Sequence, residues 1–570
     1  MKKTLLLFLA IALTTTLSAG GIMTNTNQSA AFARMMSRNA SLGIDAVYYN
    51  PAGLTKLSDG FHFSLNNQSI FQQKYVDNNY QYLHRSAATN EARYIGDVKA
   101  PLFPGVYAAY KMNKLVFSFG FNPVGGGGGA KYDKGLPSFE MPVSELVPTL
   151  HSLANVTDYK ASIDFTGTSV FFGYQAGVSY EINDAVSVFA GVRYVTAKNT
   201  YKGSIKDIMV NPSFTAQPAI PGLDPLSFNG TFIRADAFGN AMNSYLGSAA
   251  TYYNVVAAQM GAAATGLDPL VAGGAGGLTP AQAQAMGIIT ATQQAQIEGG
   301  LAAIGQPSTL TIQQAQGAFS ATATQATAGA TKLSAGAEQM AGLAAQTGDA
   351  EVDVVQKGTG YTPILGANFK LGDNIDLSVK YEFMTKLELT NKTKVDGTGK
   401  FPDGAKTRSD MPAMLAIGAS FPVCSKVNGS LSFNYYFDRP ANYGIVNSLG
   451  ESVRNFDVID HNFYEVALGF EYSLTDKLLL SAGVLRSVTG VGNDYQSDLS
   501  FSLSSTAVGL GGQYKISDAF AVNLGFLNTY YDKGERNFYH TFGTENFYTT
   551  EKLSKTTWLL AAGLDFKFGK

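Results

Sequence analysis

His62, His84, His151, His461 and His540 are the only imidazoles in 570 residues, and Cys424 is the only thiol. No Gly-x-Ser-x-Gly nucleophile elbow accompanies them, and no Walker or Rossmann glycine signature occurs. Each histidine reads more simply as a polar residue of a strand or loop. The protein is expected not to be an enzyme and to need neither cofactor nor metal. Two cations invite a different chemistry. Arg193 in "AVSVFAGVRYV" and Lys380 in "IDLSVKYEFM" fall in the polar phase of alternating segments, where either could pair with a ligand carboxylate. Acids in the same phase of their own segments, Glu382, Glu465 and Glu471, are the competing partners.

The elements that would position those cations are strands. In "TTWLLAAGLDFKF", Trp558, Leu560, Ala562, Leu564, Phe566 and Phe568 share one phase, while Ala561, Gly563, Asp565 and Lys567 share the other. Dyad repeats of about ten residues match a strand that crosses a bilayer. Fourteen such segments are expected, at about 61–72, 105–112, 115–122, 168–181, 185–200, 360–371, 375–389, 411–423, 429–438, 461–473, 477–488, 501–515, 519–531 and 556–568. Tight turns such as "EINDA", "KLGDN" and "SLTDK" join pairs of them, and long polar connections join the pairs to one another. Short turns on one side and long loops on the other describe an outer-membrane barrel whose short turns face the periplasm. The fold class expected is all-β and transmembrane: a 14-stranded antiparallel outer-membrane β-barrel over 59–570.

Composition agrees. The start, "MKKTLLLFLAIALTTTLSAGG", reads as a signal peptide over 1–19, and no later run of ~18 apolar residues suggests a membrane helix. Charged residues are 15% of the chain, 36 Phe and 30 Tyr accompany one Trp, and the net charge of −2 gives no case for nucleic acid. Outer-membrane barrels usually end on an aromatic residue, and here the aromatic Phe568 is followed by Gly569 and Lys570.

Residues 20–58 precede the first strand and lack alternation, yet contain Phe32, Met35, Met36, Leu42, Val47 and Leu54, which favours burial as a plug, or hatch, over a dangling tail. This segment ends on Asn50, Pro51, Ala52 and Leu54, an Asn-Pro-Ala-x-Leu pattern. The third strand runs into "FGFNPVGGGGGAKYD", where Pro123 removes a ladder donor and Gly125, Gly126, Gly127, Gly128 and Gly129 offer no side chains to pack, so continuous pairing should fail. An Asn-Pro-Ala-x-Leu segment ahead of fourteen strands, with Asn122, Pro123, the glycine run, Tyr132 and Asp133 in the third, resembles the FadL-type transporters of long-chain fatty acids and other hydrophobic compounds. The resemblance implies a hatch, a lateral gate at the kinked third strand, and passive diffusion of an apolar ligand through the barrel into the bilayer of the bacterial outer membrane. It also implies outer-membrane lipid and lipopolysaccharide as surroundings, and a monomer is expected.

The resemblance does not cover 203–358. Between 237 and 348 the charges are only Asp268, Glu298, Lys332 and Glu338, and Ala, Gln, Gly and Thr dominate. This reads as a helical extracellular insertion, with Thr279-Pro280 opening one helix and Ser308 a candidate cap for another. It could serve as a lid or as surface decoration. Rival readings for the whole chain are a general diffusion porin, which a plug would obstruct, and a surface adhesin barrel.

Overall fold

The computed structural model describes residues 22–216, 220–372, 374–446 and 451–569. The signal peptide expected over 1–19 lies outside them. Fourteen strands form the wall: β1 Gly60–Asn78, β2 Ala92–Met112, β3 Leu115–Tyr132, β4 Tyr159–Asn183, β5 Val186–Val210, β6 Ala350–Leu371 and β7 Ile375–Glu382 make the first half. The second half comprises β8 Ala413–Cys424, β9 Val427–Phe437, β10 Tyr464–Ser473, β11 Leu478–Val488, β12 Ser505–Ser517, β13 Phe520–Tyr531 and β14 Glu545–Phe568. Successive strands share one sheet, and the pairs with a defined register are antiparallel. β14 closes the ring on β1 in unbroken register from Phe61↔Phe568 to Asn78↔Glu551. Closure leaves no free edge, which is what lets a sheet stand in a bilayer where unpaired amides would cost several kcal/mol each.

The period-two pattern sorts the side chains as expected. Along β14, Trp558, Leu560, Leu564 and Phe568 are exposed on the outer face, whereas Thr557, Leu559 and Ala561 are buried. Along β1 the inward set is His62, Ser64, Asn66, Gln68, Gln72 and Lys74, all buried. The wall is therefore greasy outside and polar inside.

Several strands run past the expected limits, whereas β7 stops at Glu382 rather than near 389 and β12 begins at Ser505 rather than near 501. β2 begins at Ala92 rather than near 105, and β3 continues through the glycines to Tyr132 rather than ending near 122. β4, β5 and β6 likewise lengthen away from their short turns. The added residues of β2 keep the period of two, with Ala92, Tyr94 and Val98 buried and Arg93, Ile95 and Lys99 exposed. A further strand, Gly534–Phe542, pairs with the first part of β14.

A second compact unit comprises 146–161 and 207–349. Its long helices are Ala235–Gly266 and Ile312–Gln346, with Pro280–Ala285 and Ala291–Ala303 between them. Thr279 opens its helix through a reciprocal capping box with Gln282, as expected. Ser308 is not the cap of the last helix: Thr311 is, in a capping box with Gln314. Leu267, Ile289, Leu301, Ile312 and Phe319 form the core that joins these helices. By length and composition alone, Ala235–Ala275 is long and apolar enough to cross a membrane, contrary to the expectation of no such helix. Its packing along Ile312–Gln346 gives its small-residue surface a partner within the unit.

Candidate functional site

β2 and β3 part company in mid-wall. They pair as far as Val106↔Phe121 and again from Val98↔Ala130; between these points Lys99–Gly105 and Asn122–Gly129 have no ladder to each other. β3 stays attached to β4 through the glycine run, but with register shifts at Pro123/Gly125 and Gly125/Gly128. The expected failure of pairing thus falls on the β2 side alone. Gly126 adopts φ +86, and a Cβ there would run into the Ser169 carbonyl, so the kink needs this residue to be glycine. Gly127 and Gly128 lie within the same strand.

The kinked backbone turns to the N-terminal segment instead. The Asn25 amide donates to the Val124 carbonyl at 2.8 Å, and Thr24 forms a bridge with Gly125. Gln28 Nε2 donates to the Pro123 carbonyl at 2.9 Å. Asn122 Nδ2 donates to the Tyr107 hydroxyl at 2.6 Å, and that hydroxyl donates to the Gln28 carbonyl at 2.9 Å.

Residues 22–57 fill the space behind this parting and are nearly all buried. Ser29 caps a single helical turn, Ala30–Arg34, which packs on the inward faces of β12, β13, β14 and β1. Arg38 binds Asp45 through Nε and Nη2 at 2.8 and 2.9 Å, and the Ser41 hydroxyl adds 2.6 Å. Burial would raise the Asp45 carboxyl, but the Arg38 charge and these hydrogen bonds hold it below the ordinary range. Outward, Arg34 reaches Glu471 of β10 at 2.8 Å, with Arg38 at 3.4 Å from the same oxygen.

The Asn-Pro-Ala-x-Leu residues dock on the opposite arc. Asn50 Nδ2 donates to Asn368 Oδ1 of β6 at 2.8 Å. The Pro51 carbonyl accepts from Ser179 of β4 at 2.6 Å, and the Ala52 carbonyl from Ser187 of β5 at 2.8 Å. Leu54 is fully buried. Asn50, Pro51 and Ala52 thus each present a backbone or amide group to a different strand.

Arg193 and Lys380 both face the lumen, as their phase implies, and the carboxylate between them belongs to the protein. Arg193 grips Glu382 with two nitrogens at 2.6 and 3.0 Å, and Lys380 Nζ lies 2.7 Å from Glu382. Lys380 also donates to the Tyr48 carbonyl at 2.6 Å, and both cations lie over the Tyr48 ring. Of the partners weighed from the sequence, the internal acid is the one observed, and the expected place for a ligand head group is already filled. The hatch cations Arg34 and Arg38 escaped the sequence reading, since their acids lie over 400 residues away or within an irregular loop.

No protein-family model matches this sequence, and no curated protein matches it. Solved structures do. A Pseudomonas aeruginosa FadL homologue superposes over 96% of this chain and 100% of its own, with 12% identity and a TM-score of 0.53. The Pseudomonas putida toluene transporter TodX matches over 93% of this chain and 95% of its own at 15% identity and TM-score 0.45. The Ralstonia pickettii toluene transporter TbuX matches over 92% and 94% at 13% identity and TM-score 0.44. The chain is built on the FadL-type fold, a fourteen-stranded barrel carrying its own N-terminal segment inside.

Proposed function

We propose that this protein carries hydrophobic compounds, long-chain fatty acids first among them, across the bacterial outer membrane by passive diffusion. Ligand enters from the side of the long loops, the hatch rearranges to admit it, and it leaves sideways between β2 and β3 into the bilayer. The observation that carries this reading is the loss of pairing between Lys99–Gly105 and Asn122–Gly129, directly behind which the hatch backbone is tethered. A solute of the general porin kind would gain nothing from an opening that leads into lipid. An apolar chain does, since each CH₂ gains ~0.8 kcal/mol on leaving water. The filled lumen also argues against an open pore, because polar ligands would meet the Arg34–Glu471 and Arg193–Glu382 contacts rather than water.

Replacing Gly125, Gly126 and Gly129 with valine should abolish uptake of radiolabelled oleate by cells while heat-modifiable, folded barrel persists in the outer membrane. Uptake at the unmodified rate in that variant would refute lateral exit.

A further inference from the structure

Lys74 of β1 and Lys555 of β14 are directly opposed across the seam that closes the ring. Both point inward with the phase that contacts the hatch, and they are 1% and 6% exposed. Lys555 Nζ donates to the Phe501 carbonyl at 2.6 Å and lies over the rings of Phe501 and Tyr531, at 4.5 and 5.9 Å from their centroids. Lys74 Nζ has no hydrogen-bond or ion-pair partner among the described residues. Buried acids at this end of the lumen are committed elsewhere. Glu551 accepts from Asn78 at 3.0 Å and pairs with Arg536 at 3.2 Å, and Asp498 accepts backbone amides of Ser138 and Leu499 at 2.8 and 2.9 Å.

Two buried ammoniums facing each other without a counter-ion are strongly unfavourable, and proteins avoid them unless something completes the site. Here the surroundings suit cations: a carbonyl and two aromatic faces on Lys555. Their depth matters as much. Gln68, six residues before Lys74 on the same face, donates to the hatch carbonyl of Asn27 at 3.2 Å. Lys74 therefore lies ~20 Å farther toward the long loops. Its partner across the seam, Lys555, reaches into the stretch 495–503, whose residues are all buried.

We propose that Lys74 and Lys555 form an anion site for the carboxylate of an amphiphilic ligand, holding the head group while the apolar tail lies against Phe501, Tyr531 and Leu553. This deepens and rests on the transport reading above. It also gives a carboxylate a place that Glu382 does not already occupy.

The test uses purified full-length protein in detergent, with oleate and the neutral oleyl alcohol as paired probes. Lys74→Met with Lys555→Met should weaken oleate binding on the order of tenfold or more, the loss of a charge-assisted pair, and leave oleyl alcohol unchanged. Lys555→Glu supplies an internal partner to Lys74 and should fold at least as well, yet lose oleate in the same way. Oleate affinity unchanged in either folded variant overturns the anion site while leaving transport of apolar compounds standing. Failure of the wild-type protein to bind either probe overturns both.

Discussion

Asn122 Nδ2 donates to the Tyr107 hydroxyl at 2.6 Å at the point where the ladder between β2 and β3 ends. The hydroxyl in turn donates a hydrogen bond to the Gln28 carbonyl. Side chains, rather than a backbone ladder, hold this part of the wall, and they hold it to the hatch. A movement of Gln28 is therefore felt at the parting without any intermediate element.

Tyr107→Phe removes both bonds and leaves the Gln28 carbonyl and the Asn122 amide unpaired, at ~1–3 kcal/mol for each buried group. Deuterium exchange of the Asn25 amide, which bonds to Val124 in this tethered stretch, should accelerate by one to two orders of magnitude, about what that loss implies. Exchange at the wild-type rate would show that the bridge at Thr24 suffices alone.

Glu382 neutralises two buried cations at once. Glu382→Gln should lower barrel stability by ~3–5 kcal/mol, read as a drop in the temperature at which the folded species shifts to unfolded mobility on a gel. The triple variant Arg193→Met, Lys380→Met, Glu382→Met should recover most of the loss, since an apolar trio leaves no charge stranded. Equal destabilisation by single and triple variants would refute this account.

Gly509 of β12 gives the hatch its clearance: a Cβ there would stand 2.5 Å from the Ala33 carbonyl. Gly509→Val should push the Ala30–Arg34 turn off the wall while the outer face of the strand, and so insertion, is untouched. Single-channel recordings should then show steady conductance that the parent protein lacks. A silent variant would mean that the turn can be displaced without opening a path.

Asp438, just past β9, is fully buried, and burial pushes its carboxyl up to about 6 although the Tyr443 hydroxyl and Phe463 amide donate to it. A carboxyl raised on folding favours the native state below its unfolded value of 3.8 and loses that advantage as pH climbs through about 6. Amide exchange in 438–446 and 451–463, corrected for intrinsic rates, should therefore be slower at pH 4 than at pH 7, by at most a few kcal/mol in local stability. Asp438→Asn should abolish the difference, and a pH-independent parent would contradict it.

The wall was legible because each strand writes its own alternation, as Trp558 to Phe568 do, and because Pro123 and five glycines announce a break without reference to anything distant. The opposite bank of the break was not. Ala92–Pro104 of β2 alternates as far as Val98 but then meets Pro101 and Pro104, so the tertiary pairing with β1 is what reveals the whole stretch as a strand. The same holds for the ion pairs of the lumen. The inward phase identifies Arg193 and Lys380, but choosing Glu382 over Glu465 or Glu471 needs the register of β5 on β6 and β6 on β7. Lys74 and Lys555 are invisible as a pair until the first strand meets the last. Thr311, by contrast, could have been preferred to Ser308 from the Thr-x-x-Gln capping signature alone.

The turn Ala30–Arg34 straddles the join between β14 and β1, touching strands on both sides of it. The first and last strands thus meet around the turn, and Ala33 and its neighbours leave the inward glycines Gly509 and Gly525 no spare width. A cylinder sewn shut around its stopper has that fit as its gauge. The hatch is then a former on which the final seam is aligned, and an error in its sequence becomes an error of assembly before it is one of passage.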